Sequence, residues 1–435
     1  MRTLAAASAR PTAGLAWFTV FLLFLVQVTN FADKTVVSLA AVYIMEEFNL
    51  SNEQYGIIGG AFYSLYAVSG ILVAVFVAPR FRPRAIMAVL LIIWSLVQLP
   101  IVFAASFQVI LVCRILLGMG EGAATPTALN AVHEWFPNES RNMPSALVMF
   151  GTTIGSMIAA PVLITVMEAF GWRAAFMSCG LFGAIVFLLW LVFSRDGPYS
   201  AATANKAQPS LLPPTVKTRR LWLEPSLWGT TIAGAAAYWL VGWQVSWLAP
   251  YLMVVGQDPA LTGWLLSMIF ACQAVCTLSC SFVSQILMKR GVSSRAARAC
   301  MMGACIMVSG GGFIAIGVTD SLPVQIALLA IATTPLGAVF PLAAAIISEV
   351  TPIEQRNGVM TFIMSIITVV AVPSSIVTGM VVGATNENWI IALSLNGAIG
   401  LIGGFFCFLL INPERTIARF SNNQISNKVS LAAEP

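Results

Sequence analysis

Charge is what this sequence has least of. Asp, Glu, Lys and Arg make up 9% of its 435 residues, and there is a single histidine, whereas soluble domains carry about 25% charge. With 59% hydrophobic residues and a mean hydropathy of +0.88, a water-soluble globule is excluded and a bilayer is the expected solvent. Signatures of chemistry are missing too. There is no His-Glu-x-x-His and no Gly-x-Ser-x-Gly, which with one histidine argues against a membrane enzyme. No Gly-x4-Gly-Lys-[Ser/Thr] phosphate loop occurs, which argues against ATP-driven work. The eight cysteines form no Cys-x-x-Cys pair, so neither a disulfide framework nor a metal site is expected. Cys272, Cys276 and Cys280 recur every four residues and are expected to act as small helix-packing residues. Apolar runs recur from Leu15 to Ile411 with no Ala-x-Ala-type site ahead of a soluble domain, so a secreted protein is not expected either.

What is present is a repeated apolar pattern. A spanning helix needs about 20 apolar residues, and polar breaks cut twelve such segments, near 16–40, 55–78, 85–105, 108–131, 143–168, 173–193, 227–252, 262–287, 298–318, 323–348, 358–382 and 388–411. The expected fold is therefore an all-α membrane protein of twelve transmembrane helices in two six-helix halves. The halves are set at 1–194 and 227–413, joined by a Pro-, Ser- and basic-rich linker at 195–226 and followed by a tail at 414–435. They echo one another. The second helix of each ends in a basic turn, Arg80-Phe81-Arg82-Pro83-Arg84 and Lys289-Arg290, and the fourth in Pro137-Asn138-Glu139-Ser140-Arg141 and Pro352-Ile353-Glu354-Gln355-Arg356. With the N-terminus inside, 19 of the 22 Lys and Arg fall on the cytoplasmic side and Arg173 outside. This is the positive-inside pattern of a plasma (inner) membrane protein with both termini and the linker cytoplasmic. The net charge of +5 is thus explained without a nucleic-acid partner. Gly56/Gly60, Gly118/Gly122, Gly151/Gly155 and Gly379/Gly383 have the spacing of close helix contacts.

The remaining basic residues, Lys34 and Arg114, lie inside helices together with Asp33 and Glu121. A charge at the centre of a spanning helix costs about 2.5–3.5 kcal/mol, so such residues normally face a bundle interior and function there. From a rise of 1.5 Å per residue, Asp33 and Arg114 lie at a common depth of roughly 10 Å and can pair, while Glu121 lies about 20 Å down its helix, near the midplane. A carboxyl there exchanges a proton according to whether a nearby cation such as Lys34 is engaged elsewhere, which is the basis of a proton-coupled carrier. Fixed salt bridges that orient helices are the alternative, and Lys34 has the option of snorkelling outward. His133, beside Glu134, reads as a solvated helix end or a proton relay.

Asn30-Phe31-Ala32-Asp33-Lys34, Ala61-Phe62-Tyr63-Ser64-Leu65-Tyr66, Arg114-Ile115-Leu116-Leu117-Gly118-Met119-Gly120-Glu121-Gly122, Glu134-Trp135-Phe136-Pro137 and Trp247-Leu248-Ala249-Pro250-Tyr251-Leu252 resemble the anion:cation symporter branch of the major facilitator superfamily. The resemblance implies that Asp33 and Glu121 are protonation sites. It implies that Arg114 and Lys34 anchor a substrate carboxylate or pair with those acids, and that Tyr66 lines the site, with Tyr63 beside it. It departs in having Lys34 where Arg is usual, and Val75, Pro79 and Gln285 at positions of the cytoplasmic loop motifs. Where sugar-acid members carry polar residues this chain has Ala343, Ala344, Phe362 and Met364, to which Trp239 and Trp243 add aromatic surface.

The expected function is proton-coupled symport of an organic carboxylate, leaning to an aromatic or apolar monocarboxylate. Sugar-acid symport, export, or Na⁺ in place of H⁺ on the same fold remain the alternatives. No cofactor or metal is expected beyond the co-transported cation. The expected partners are a small organic anion and the lipid bilayer, with the protein acting as a monomer.

Overall fold

The structure is a computed structural model that describes residues 13–78, 80–104, 106–136, 142–198 and 221–420. Among the described residues, twelve long helices carry the fold: α1 (Ala13–Leu39), α2 (Asn52–Val77), α3 (Pro83–Val102), α4 (Phe107–Trp135), α5 (Met143–Phe170), α6 (Trp172–Phe193), α7 (Pro225–Val254), α8 (Pro259–Lys289), α9 (Arg295–Ile316), α10 (Leu322–Val350), α11 (Gly358–Ala384) and α12 (Trp389–Leu410). All but α7 meet the length and apolarity of a membrane span. The exception runs for 30 residues but is diluted by Gly, Ser, Thr, Gln and Trp, and most of it is buried among other helices. A helix shielded from lipid does not need lipid-facing side chains.

The apolar segments of the sequence match these helices to within a few residues. The structure adds a short helix, Ala41–Phe48, closed by Asn49 in the left-handed region at φ 51°. The next helix starts at a capping box: Ser51 accepts from the Gln54 amide while the Gln54 side chain accepts from the Ser51 amide, satisfying two donors that a helix start leaves free.

The repeat is visible in the pairing of helices. α1 packs on α5 and α7 on α11; α2 on α4 and α8 on α10; α3 on α6 and α9 on α12. Each second pair is the first shifted by six helices. The halves meet where α2 lies on α11 and α5 on α8, and their bridging contacts gather at the end away from the linker. There the Tyr55 hydroxyl donates to the Ser246 carbonyl at 2.9 Å and Ser267 donates to the Met157 carbonyl. A side chain at Gly56 or Gly60 would run into the Ser375 or Val372 carbonyl. At the linker end, by contrast, a cavity of about 410 Å³ lies between α8, α9 and α10, lined by Ser284, Gln285, Lys289 and Arg298.

Several expectations need adjustment. A Cβ at Gly383 would meet nothing within 4 Å, so this glycine serves no close contact, whereas Gly151 and Gly155 do approach α1 at Phe24 and Val28. Cys272 is exposed and the half-buried Cys276 and Cys280 sulfurs lie 3.9 Å apart, so that face is only partly a packing face. Phe362 is 46% exposed and meets Trp222 edge to face, on the outside of the bundle. The linker expected at 195–226 falls largely on 199–220, outside the described residues. So do the N-terminal Arg2 and Arg10, the Arg141 loop and the tail beyond residue 420.

Candidate functional site

The site forms where α4 is interrupted. Its first helical run ends at Glu121 and the second begins at Ala124. Pro126 lacks an N–H, so the Gly122 carbonyl receives no bond from the following turn. The equivalent helix of the other half, α10, is interrupted likewise between Thr333 and Leu336, at Pro335. Discontinuous helices of this kind are found at the substrate sites of transporters built from repeats.

Two glycines bring α2 against this break. A Cβ on Gly118 would overlap the Phe62 carbonyl, and one on Gly122 the Tyr66 carbonyl. With hydrogen at both positions the α2 backbone lies directly on α4, and the Ser69 hydroxyl donates to the Met119 carbonyl at 2.6 Å. This contact carries Phe62, Tyr63 and Tyr66 of α2 to the charged residues of α1 and α4.

Lys34 and Glu121 form the centre. Glu121 is fully buried, and neither of its oxygens has a hydrogen-bond partner. The Lys34 ammonium stands 3.6 Å from Glu121 Oε2, beyond hydrogen-bond length, and donates instead to Asn30 Oδ1 at 2.8 Å. Aromatic faces surround the ammonium, with its nitrogen 4.2 Å from the Phe31 ring centre and 5.1 Å from that of Tyr66. Ring quadrupoles of this kind stabilise a cation that has left water. Lys34 therefore turns inward, and the snorkelling alternative does not hold here.

Asp33 and Arg114 are not an ion pair. Arg114 Nη1 reaches the backbone carbonyl of Asp33 at 3.5 Å, its Cζ lies 4.9 Å from the Phe62 ring centre, and its Nε has no partner. The Asp33 carboxylate points the other way and accepts from Gln98 Nε2 of α3 at 2.9 Å. A shared depth along the helices does not suffice, because rotation about the axis decides pairing. Consecutive residues differ by about 100° in azimuth, so Lys34 and Asp33 serve different neighbours. Asn30 and Lys34, four apart, share a face as the helical period requires.

The remaining candidates divide between the two regions. Tyr63 and Tyr66 lie beside the charges, their rings 6.2 Å apart, and Tyr63 meets Tyr238 of α7 at 6.0 Å across the boundary between the halves. Trp239 turns from that boundary and donates from its indole to Asn396 of α12 at 2.9 Å. Trp243 packs on Phe313 and Tyr251 within the second half. Sequence reasoning missed Asn30, Gln98, Phe62 and Tyr238. The first two carry the same signal as the charges, an uncapped polar group within an apolar helix. His133 lies within hydrogen-bonding reach of Ser145, at 3.5 Å. Among the described residues no three His, Cys, Asp or Glu side chains come together as a metal site would need.

In comparisons with known proteins, the sequence model of the Major Facilitator Superfamily matches residues 23–337. A hexuronate transporter of Bacillus subtilis is 32% identical over 194 residues, 44% of this chain and 46% of the relative; the match thus spans about half that relative's length. A probable galactarate/D-glucarate transporter of the same organism is 26% identical over 89% of this chain and 88% of its own. Among solved structures, an inward-facing bacterial homolog of the human lysosomal transporter Spinster superposes with a TM-score of 0.74 over 94% of this chain and 99% of that one, at 21% identity, which establishes a common fold.

Proposed function

The chain belongs to the major facilitator superfamily, and from that footing we propose that it carries an organic acid across the membrane together with protons. The observation that supports this most is the buried Lys34–Glu121 pair, 3.6 Å apart with both carboxylate oxygens free of hydrogen bonds, beside an Arg114 whose Nε is unpartnered. A pair held so loosely forfeits much of the attraction that would offset its desolvation, which suits an arrangement that is broken in each transport cycle. In this reading a substrate carboxylate binds between Arg114 and Lys34. Once Lys34 turns to the substrate, Glu121 is left as an unpaired buried carboxylate, a state costly enough that it takes up a proton. Substrate and proton are thereby bound together. Asp33 is the second protonation site, and Tyr63 and Tyr66 line the place where the substrate carboxylate binds. The relatives are named as transporters, so the membrane-enzyme alternative is set aside.

For the substrate we propose a hydroxylated acid of the sugar-acid kind. Two relatives are named as transporters of hexuronate and of galactarate or D-glucarate. The aromatic walls on which an apolar monocarboxylate would depend do not face the charges: Trp239 bonds Asn396, Trp243 packs on Phe313 and Phe362 lies outside. The side chains near the charges include the phenols of Tyr63, Tyr66 and Tyr238, which are able to pair with substrate hydroxyls. We further propose a plasma-membrane monomer with linker and termini cytoplasmic, as the basic residues indicate, and with the substrate path between residues 1–194 and 227–413.

The test is uptake by purified protein in proteoliposomes under an imposed pH gradient, without Na⁺, with competing acids. Acceleration by inward acidity and stronger competition by hexuronates or aldarates than by benzoate would support the reading. Uptake indifferent to pH, or requiring Na⁺, would refute proton coupling, and stronger competition by benzoate would restore the apolar substrate.

A further inference from the structure

Asp33 and Lys34 are adjacent in sequence but enter different compartments. Lys34 faces α2 and α4, where the substrate is placed. Asp33 is 1% exposed and its carboxylate enters the seam between α1, α3 and α6. The seam is closely built. Ser95 and Gln98 line it from α3, and α6 presents glycines opposite them, so that a Cβ at Gly180 would lie 3.1 Å from Gln98 Cβ and one at Gly183 2.7 Å from Ser95 Oγ. The titratable and charged groups about Asp33 are Lys34 on its own helix, Arg114 and Glu121 on α4, and the Cys179 thiol on α6.

Gln98 is fully buried. Its Nε2 donates to Asp33 Oδ1 at 2.9 Å, and its Oε1 has no partner. An amide held this way serves an ionised carboxylate and leaves its own acceptor unsatisfied. A protonated Asp33 reverses the requirement: the carboxyl O–H becomes a donor, and Gln98 Oε1 accepts it once the amide turns over about its terminal torsion, which is soft. The proton adds to a carboxylate oxygen, so the Nε2–H···O⁻ bond gives way to an O–H···Oε1 bond and no other bond changes.

We propose that Gln98 is a positioning residue for the protonation of Asp33, and that this seam, apart from the place proposed for the substrate, is where the occupancy of the second proton site is registered. The consequence passes to the substrate site through Arg114, whose Nη1 reaches the backbone carbonyl of the same residue at 3.5 Å. The proposal rests on the proton-coupled reading above and adds that Asp33 acts on transport without touching substrate.

The experiment uses the full-length protein in proteoliposomes with two variants. Gln98→Met keeps the length of the side chain and removes the amide. Gln98→Asn keeps the amide and is one methylene too short to hold the 2.9 Å bond. Each is followed by the pH dependence of substrate exchange and by infrared difference spectra of the carboxyl C=O band on acidification, with Asp33→Asn identifying the band that belongs to Asp33. Each variant loses the charge-assisted bond to the ionised form and the weaker neutral bond to the protonated one, so the balance moves toward the protonated form: half-maximal exchange should occur at a proton concentration roughly threefold to tenfold lower than in the wild type, and the Asp33 band should shift. An unchanged profile and an unchanged band in either folded variant overturn the proposal. Should the wild-type protein show no pH-dependent exchange, the transport reading fails, while the band still reports whether Gln98 governs Asp33.

Discussion

Replacing Lys34 with methionine leaves Glu121 buried with no cation within 4 Å among the described residues. Removing one member of a buried ion pair costs about 3–5 kcal/mol, because the remaining charge is neither hydrated nor paired. At about 1.4 kcal/mol per factor of ten, that is roughly a hundredfold to a few-thousandfold loss in the folding equilibrium. Part of this is specific to Lys34: its ammonium lies 4.2 Å from the Phe31 ring centre, a contact worth about 0.5–2 kcal/mol. The pairwise part is isolated by a double-mutant cycle. Glu121→Gln alone leaves Lys34 unpaired, whereas Lys34→Met with Glu121→Gln removes both charges, and the double variant should be about 2–3 kcal/mol more stable than the sum of the singles implies. Denaturant unfolding in detergent micelles, followed by tryptophan fluorescence, measures all four proteins. The effect of Lys34→Met should also shrink in acid, where the stranded carboxylate takes up a proton. Single effects that add to within about 0.5 kcal/mol would show that the two charges do not interact and would refute the reasoning.

Arg114→Lys is expected to impair transport severely, since a lysine cannot both reach the Asp33 carbonyl and present a planar fork to a carboxylate, while Lys34→Arg should be tolerated; equal tolerance in uptake assays would contradict this ranking. Gly122→Ala drives a methyl group into the Tyr66 carbonyl and should cost about 1–3 kcal/mol together with substrate affinity, whereas Gly311→Ala, with nothing within 4 Å, should be neutral in both thermal stability and uptake. At the far end, Arg173 donates twice to the Glu47 carboxylate, each bond 2.7 Å, and holds its pKa below the usual value. The resulting stability is present at neutral pH and lost as the pH falls through that lowered value. Because the pair is partly exposed, it is worth at most about 1 kcal/mol. Arg173→Gln should remove most of that pH dependence from thermal unfolding curves, the remainder coming from the Trp172 indole, which also donates to Glu47 at 2.8 Å.

Helices in this chain were legible because the bilayer imposes length and apolarity, which sequence displays directly. The charged residues were legible for the same reason, since Asp33, Lys34, Arg114 and Glu121 stand out against apolar runs. Azimuth was not. On helices whose polar and apolar residues are spread round the axis, such as α7, nothing in the sequence marks which face meets which neighbour. Trp239 and Trp243 therefore look like site residues in the sequence, while Tyr238, next to Trp239, is the one that faces Tyr63. The same uncertainty joins Asp33 to Arg114 on paper, where the structure turns Asp33 to Gln98. Gln98 carries no charge and is easily passed over, although a glutamine inside α3, four residues before its end at Val102, is still costly to bury without a partner. The break after Glu121 had a visible cause in Gly122 and Pro126, but its effect depends on α2 lying against it, a tertiary fact.

The central claim is that Glu121 couples substrate to protons. Glu121→Gln imitates the protonated carboxyl, so in proteoliposomes it should abolish accumulation driven by a pH gradient while exchange of internal for external substrate continues at a rate near that of the wild type. Retained accumulation against a concentration gradient in Glu121→Gln would contradict the account.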